Sequence, residues 1–119
     1  MAQTFTTVFE SLSITSTTTG AGADVVYTVP ASHDVELTLL ACANGGSNNK
    51  INVQVYHADD EEYHYLLRTH SVANHDTYNV ITSNRIFLHA GDKIVAYKAG
   101  GTFDVSISGK QYYNPVRTV

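Results

Sequence analysis

Six histidines in 119 residues are the first side chains to weigh for chemistry, because imidazole changes charge near neutral pH and binds metals. His57 and His64 flank the acidic run Asp59-Asp60-Glu61-Glu62. If that run is a hairpin tip, the two rings meet across it beside four carboxylates. Imidazole nitrogen and carboxylate oxygen are ordinary ligands of zinc and related divalent ions, which makes His57, His64 and Asp59 the candidate metal ligands. The spacing matches no established zinc signature, and the run lacks the glycine-punctuated order of a calcium loop. A solvated acidic tip accounts for the same residues without an ion, so the expectation is that no metal or other cofactor is held. His33, His70, His75 and His89 fall at or near turns, as solvated loop residues or as parts of a pH-dependent interface.

Nucleophilic catalysis has less to stand on. There is no Gly-x-Ser-x-Gly elbow. His70-Ser71 and His75-Asp76 are neighbours in sequence, but neighbours on a strand point to opposite faces, so adjacency builds no triad. Cys42, the only cysteine, closes an apolar segment and reads as a buried, inert thiol. Gly20-Ala21-Gly22 and Gly100-Gly101 serve turns, since no helix follows to complete a phosphate cradle. Two strands can supply the paired carboxylates of a glycosidase, and spacing alone does not decide that. The chain is expected not to be an enzyme.

Eight tyrosines are a different resource. Rings with one polar end suit protein interfaces and sugar-stacking platforms, and they suit cross-strand pairing inside a sandwich equally well. The segment Gln111-Tyr112-Tyr113-Asn114-Pro115-Val116-Arg117 is apolar and cationic, held extended by its proline, and reads as a tail that docks. Phe5, Phe9, Tyr112, Tyr113, Pro115 and Arg117 are therefore the candidate interface residues.

The elements that position these groups are short strands. Charged residues make up 15% of the chain and the net charge is −4, against about 25% charged in an average domain. The hydrophobic fraction of 43% is enough for a core. The basic field of a nucleic-acid binder is missing, and so is the run of about 20 apolar residues that a membrane helix needs, so neither nucleic acid nor membrane is an expected partner. One cysteine rules out an intrachain disulfide framework. The opening Met1-Ala2-Gln3-Thr4-Phe5-Thr6 has no leader-like charged or apolar region, so synthesis in a reducing cytoplasm is expected. The length predicts one domain over 1–119, with an arm at about 1–19 and a tail at about 111–119 serving assembly contacts.

Period-two alternation recurs along the chain, and no helical stripe competes with it. Asp34–Cys42 sets Val35, Leu37, Leu39 and Ala41 on one face. Lys50–His57 sets Ile51, Val53 and Val55 inward, with Asn52, Gln54 and Tyr56 outward. The six turn-forming residues Asn44–Asn49 between them predict a hairpin. Phe103, Val105 and Ile107 alternate likewise. Further strands are expected at 5–9, 12–18, 25–29, 63–69, 78–82, 85–89 and 93–98, the last covered on both faces at Ile94-Val95-Ala96-Tyr97. Short strands at this spacing predict an all-β, antiparallel sandwich, jelly-roll-like, with no substantial helix.

The order of these segments resembles a known family. Val26-Tyr27-Thr28-Val29-Pro30-Ala31 follows a Ser/Thr-rich strand; an apolar strand, an Asn/Gly/Ser turn and Ile51-Asn52-Val53-Gln54-Val55 come next. Ile86-Phe87-Leu88-His89-Ala90-Gly91-Asp92-Lys93-Ile94 then precedes the closing strands. This is similar to small β-sandwich virion proteins of tailed bacteriophages, from about Thr15 to Tyr113. The resemblance implies a structural protein without catalytic residues: a capsid decoration or cement protein that binds the major capsid protein on the capsid surface, made in the cytoplasm of a host bacterium. Many equivalent sites on a shell favour a symmetric homo-oligomer, a trimer above others. The alternatives are an accessory protein of the tail, neck or fibre, and a carbohydrate-binding module for host adsorption.

Overall fold

Threonine, tyrosine and β-branched residues fill the alternating segments, where they suit a half-buried pleated surface, and the described residues form nine strands. The computed structural model describes residues 5–82 and 85–114. The strands are β1 (Phe5–Ile14), β2 (Asp24–Thr28), β3 (His33–Asn44), β4 (Asn49–His57), β5 (Glu62–Val72), β6 (Thr77–Asn79), β7 (Ile86–His89), β8 (Lys93–Lys98) and β9 (Phe103–Tyr113). One 3₁₀ turn, Gly20–Gly22, is the only helical element among the described residues.

All pairings are antiparallel and form two sheets. The first runs β1-β9-β3-β6, with β7 also on the free side of β3; the second runs β2-β8-β4-β5. Successive strands alternate between sheets at β1/β2 and β3/β4, which is the doubled Greek-key order of a jelly roll. The fourth position of the first sheet is shared by the short strands β6 and β7. The inner faces meet in one core, in which Val35, Leu37, Leu40, Ile51, Val53, Leu88, Ile94, Phe103, Val105 and Ile107 are fully enclosed. Ile94, Val95 and Ala96 are buried on both faces of β8, as expected.

Two expectations fail. Asn44–Asn49 is a sharp turn, but β3 and β4 do not pair: β3 lies in the first sheet and β4 in the second. The turn crosses the roughly 10 Å between layers. Asn44 holds the crossing in place. Its buried amide donates to the carbonyls of Ser47 and Val72, each at 2.9 Å, and its side-chain oxygen accepts from Gly46 N–H at 3.0 Å. The hairpin within the second sheet is the next one, β4–β5.

The second failure concerns β3. Val35 and Leu37 face the core, but Leu39 and Ala41 do not; Leu40, Cys42 and Asn44 take over. The pairing with β9 shifts between Leu37 and Leu39, and a bulge there reverses every side chain beyond it. Gly109 of β9 sits opposite. A Cβ at that position would collide with the Glu36 carbonyl oxygen and the Leu37 Cα, so the bulge needs a residue without one. The segments expected at 5–9 and 12–18 are a single strand to Ile14, integrated with β9 over its full length.

Candidate functional site

The β4–β5 hairpin places the metal candidates. His57 and His64 do converge, with ring centroids 5.3 Å apart. Asp59 is not the carboxylate that joins them. The tip turns through Glu61 at φ 55°, and the groups that close on His64 Nε2 are Glu62 at 3.8 Å and Asp60 at 3.9 Å. Asp60, Glu62 and His64 thus offer three ligand atoms within 4.8 Å of one another, all exposed. His57 Nδ1 instead lies 3.9 Å from Asp92. Asp92 is buried and accepts N–H bonds from Ala58 and His89, both at 2.9 Å, so it ties the hairpin to the β7–β8 turn. A divalent ion at Asp60, Glu62 and His64 would be held from one side and hydrated on the other. No buried side-chain polar atom among the described residues lacks a partner, so nothing inside the fold is directed at such an ion.

The other histidines have local roles. His89 Nδ1 is 3.1 Å from Asp34, whose other oxygen accepts from the Asn114 amide at 2.9 Å. His33 contacts the Ala31 carbonyl and the edge of the Tyr113 ring, and His70 lies against Tyr78 at 4.0 Å. Cys42 is buried, and burial pushes its thiol up to about 12, far from the thiolate that a nucleophile needs.

Four of the eight tyrosines gather on the outside of the second sheet, where Tyr56 and Tyr63 pair across β4 and β5 with centroids 4.8 Å apart. Tyr65 and Tyr97 share a hydroxyl–hydroxyl bond of 2.5 Å. Lys93 lies over Tyr56 and Arg68 over Tyr65. The rings of the Tyr56–Tyr63 pair are tilted by 46°, which is not the coplanar platform that stacks a sugar. Tyr27 is different: it faces inward, donates to Gln111 at 2.8 Å, and its hydroxyl is pushed up to about 12 by burial and then by the Glu10 charge.

The β1–β2 connection covers the centre of this face. Gln54, outward on β4 yet only 3% exposed, accepts from Thr19 Oγ1 at 3.1 Å and from Gly20 N–H at 3.0 Å. Asp24 gathers the N–H groups of Thr15 at 2.6 Å and Ser16 at 3.0 Å. Desolvation alone would raise the Asp24 pKa, but those bonds, the Thr15 hydroxyl and the Lys98 charge hold it below its ordinary value. Ser16 adds bonds to the Gly22 carbonyl and from Lys98 N–H. Val95, the outward neighbour of Gln54, is 1% exposed under this cover. Asn52 and Gln54 point outward, as the alternation predicts, and loop and bulge groups bond to them there.

The first sheet is finished differently. Its outer face carries Phe5, Thr7, Phe9, Ser11 and Ser13 from β1. Opposite them on β9 stand Tyr112, Lys110, Ser108, Ser106 and Asp104. Ser11 and Ser106 bond at 3.0 Å, and Ser13 donates to Asp104 at 2.5 Å. Lys110 sits over Phe5, Phe5 packs near Tyr112, and Arg85 bonds Glu36 at 2.7 Å. The charges are thus engaged within the face. Phe9 and Phe87 stand out of it, 64% and 66% exposed, with Phe5 at 50%. A shallow depression of about 190 Å³ beside Phe87 is lined by Asp34, Glu36, His89 and Tyr112.

Of the interface candidates, Phe5, Phe9 and Tyr112 therefore share this one face. Tyr113 is exposed at its end, where Asn114 N–H bonds the Ser32 carbonyl. Pro115 and Arg117 lie outside the described residues. Phe87 was missed, although the alternation in Ile86-Phe87-Leu88-His89 marks it as outward once Leu88 is taken as core. No protein-family model, curated protein or solved structure matches the chain.

Proposed function

We propose that the chain is a non-enzymatic structural protein of a tailed-bacteriophage virion, which decorates the capsid and stabilises the assembled shell as a symmetric oligomer. The observation that carries this reading is the unequal finish of the two sheets. The second sheet has the centre of its outer face roofed by the chain itself, with Val25 and Tyr65 only partly exposed at 45% and 39%, whereas the first exposes Phe5, Phe9 and Phe87 at 50–66% on a face whose charges are already engaged. Apolar rings set among small hydroxyl groups suit burial against another protein surface. The resemblance in motif order to small virion β-sandwich proteins gives the partner, the major capsid protein.

The mechanism is burial without chemistry. Apolar area removed from water contributes about 25 cal/mol per Å². A protein that binds the assembled shell better than its separated subunits shifts assembly toward the shell. The test is cosedimentation of the purified protein with shells stripped of it, followed by heat challenge. Saturable binding with raised shell survival, both weakened in Phe87→Ser, is the expected result. Binding to purified tails and not to shells would replace this reading with the tail-accessory one, and binding to neither would end both.

A further inference from the structure

We propose that β1 pairs antiparallel with β1 of a second copy of this chain, about a two-fold axis perpendicular to the sheet. The sheet edges point to this pairing whether or not the protein binds shells. An unpaired edge presents a row of free N–H and C=O groups, and monomeric proteins blunt such edges with short strands, bulges, proline or charge. Three of the four edges here are blunted. β6 and β7 have three and four residues. β2 has five, with a register break between Val25 and Tyr27, and the pinned loop and Pro30 flank it. β5 carries two register breaks, Arg68, and Thr69 at φ 51°.

Among the described residues, β1 has none of these devices. It runs ten residues in unbroken register against β9, without proline, lysine, arginine or bulge. Its single charge, Glu10, belongs to the alternate set that faces the second sheet.

A second copy fits this edge for geometric reasons. Residues opposite each other across a strand pair project to the same side, so the two-fold must bring odd positions against odd positions. Those positions are Phe5, Thr7, Phe9, Ser11 and Ser13, all neutral, so no like charges meet on the outer side. A two-fold centred on Phe9 pairs residues 5–13 along nearly the whole strand and sets the two exposed Phe9 rings side by side. Aromatic pairs are among the stabilising cross-strand contacts. The two five-stranded sheets then form one continuous sheet, and the outer faces that carry Phe87 lie on the same side of the dimer. The edge is self-complementary only about a two-fold, so the oligomer is a dimer in place of the trimer expected from shell symmetry.

Sedimentation equilibrium of the full chain at about 0.1 mM tests the pairing. The expected result is a dimer that Phe9→Lys converts to monomer, with the circular dichroism spectrum of the parent. Under mild oxidation Phe9→Cys cross-links into a covalent dimer, while Phe87→Cys, equally exposed on the same face, does not; Cys42 is buried and stays silent. A monomeric parent chain, a dimer that survives Phe9→Lys, or cross-linking through Phe87→Cys in place of Phe9→Cys would each overturn the proposal. None of these outcomes depends on whether the protein binds shells.

Discussion

The two outer faces of the sandwich are made from strands of similar composition and are finished in opposite ways. On the second sheet, Gln54, Asp24 and Ser16 bind the β1–β2 connection down, Val95 is sealed beneath it, and tyrosines pair with each other or with a cation. On the first sheet the polar groups satisfy one another sideways, and three phenylalanines are left standing. The difference teaches that exposed aromatics here are not a shortage of chain to cover them. One face is covered at its centre by the chain's own β1–β2 connection, and the other keeps its three aromatic rings in water.

The comparison first requires that the bulge in β3 divides the core face from the outer face as described. Leu40→Ala should cost about 2–5 kcal/mol, the range for a buried leucine, whereas Leu39→Ala should cost far less; equal losses in urea unfolding would break it. Next in size, Gln54→Ala removes the acceptor that holds Thr19 and Gly20. A loss of about 1–3 kcal/mol is expected, with faster amide exchange at Gly20, and unchanged exchange there would mean that the roof stands without its anchor.

Asp24→Asn should cost about 1–2 kcal/mol at neutral pH, because it weakens charge-assisted bonds to Thr15 and Ser16. The sign of its pH dependence follows from a folded pKa below the ordinary 3.8. The carboxylate's contribution is complete above that value and is lost as pH falls through the lower, folded one. Denaturation curves of parent and variant should therefore converge in acid and separate above pH 4; a constant gap would sink the assignment. Smallest of all, Phe87→Ser should leave the folding free energy within about 0.5 kcal/mol, because its ring is mostly in water. A large loss would show that the open face serves the domain itself.

Most of the strands were legible because alternation is a local signal and each core face repeats every second residue. Lys93–Lys98 and Phe103–Ile107 needed nothing more. The reversal at Leu39 was not legible, because a bulge conserves the amino-acid pattern while changing the backbone, and its determinant, Gly109, lies seventy residues away on another strand. The Asn44–Asn49 turn was recognised, yet a turn does not state whether it returns to its own sheet or crosses to the next. The same limit governed the site. His57 and His64 could be brought together by counting along one hairpin, but choosing Asp60 and Glu62 over Asp59 required the left-handed backbone at Glu61. The face that exposes Phe5, Phe9 and Phe87 joins β1, β9 and β7, which no local window contains.

The place of β9, between β1 and β3, also sets a schedule. Ile14 finds its partner in Phe103, and Phe5 in Tyr112, so the first sheet cannot close before residues 103–113 have been made. At about 5–20 residues per second, the ribosome needs roughly 5–20 s to travel from one strand to the other. Through that interval β1 has two open edges rather than one, and closing so long a loop is slow by the logic of contact order. A nascent chain of this protein thus stays adhesive along β1 until its last strand is made, and a chaperone that shields β1 through that interval would act where the risk of misassembly is greatest.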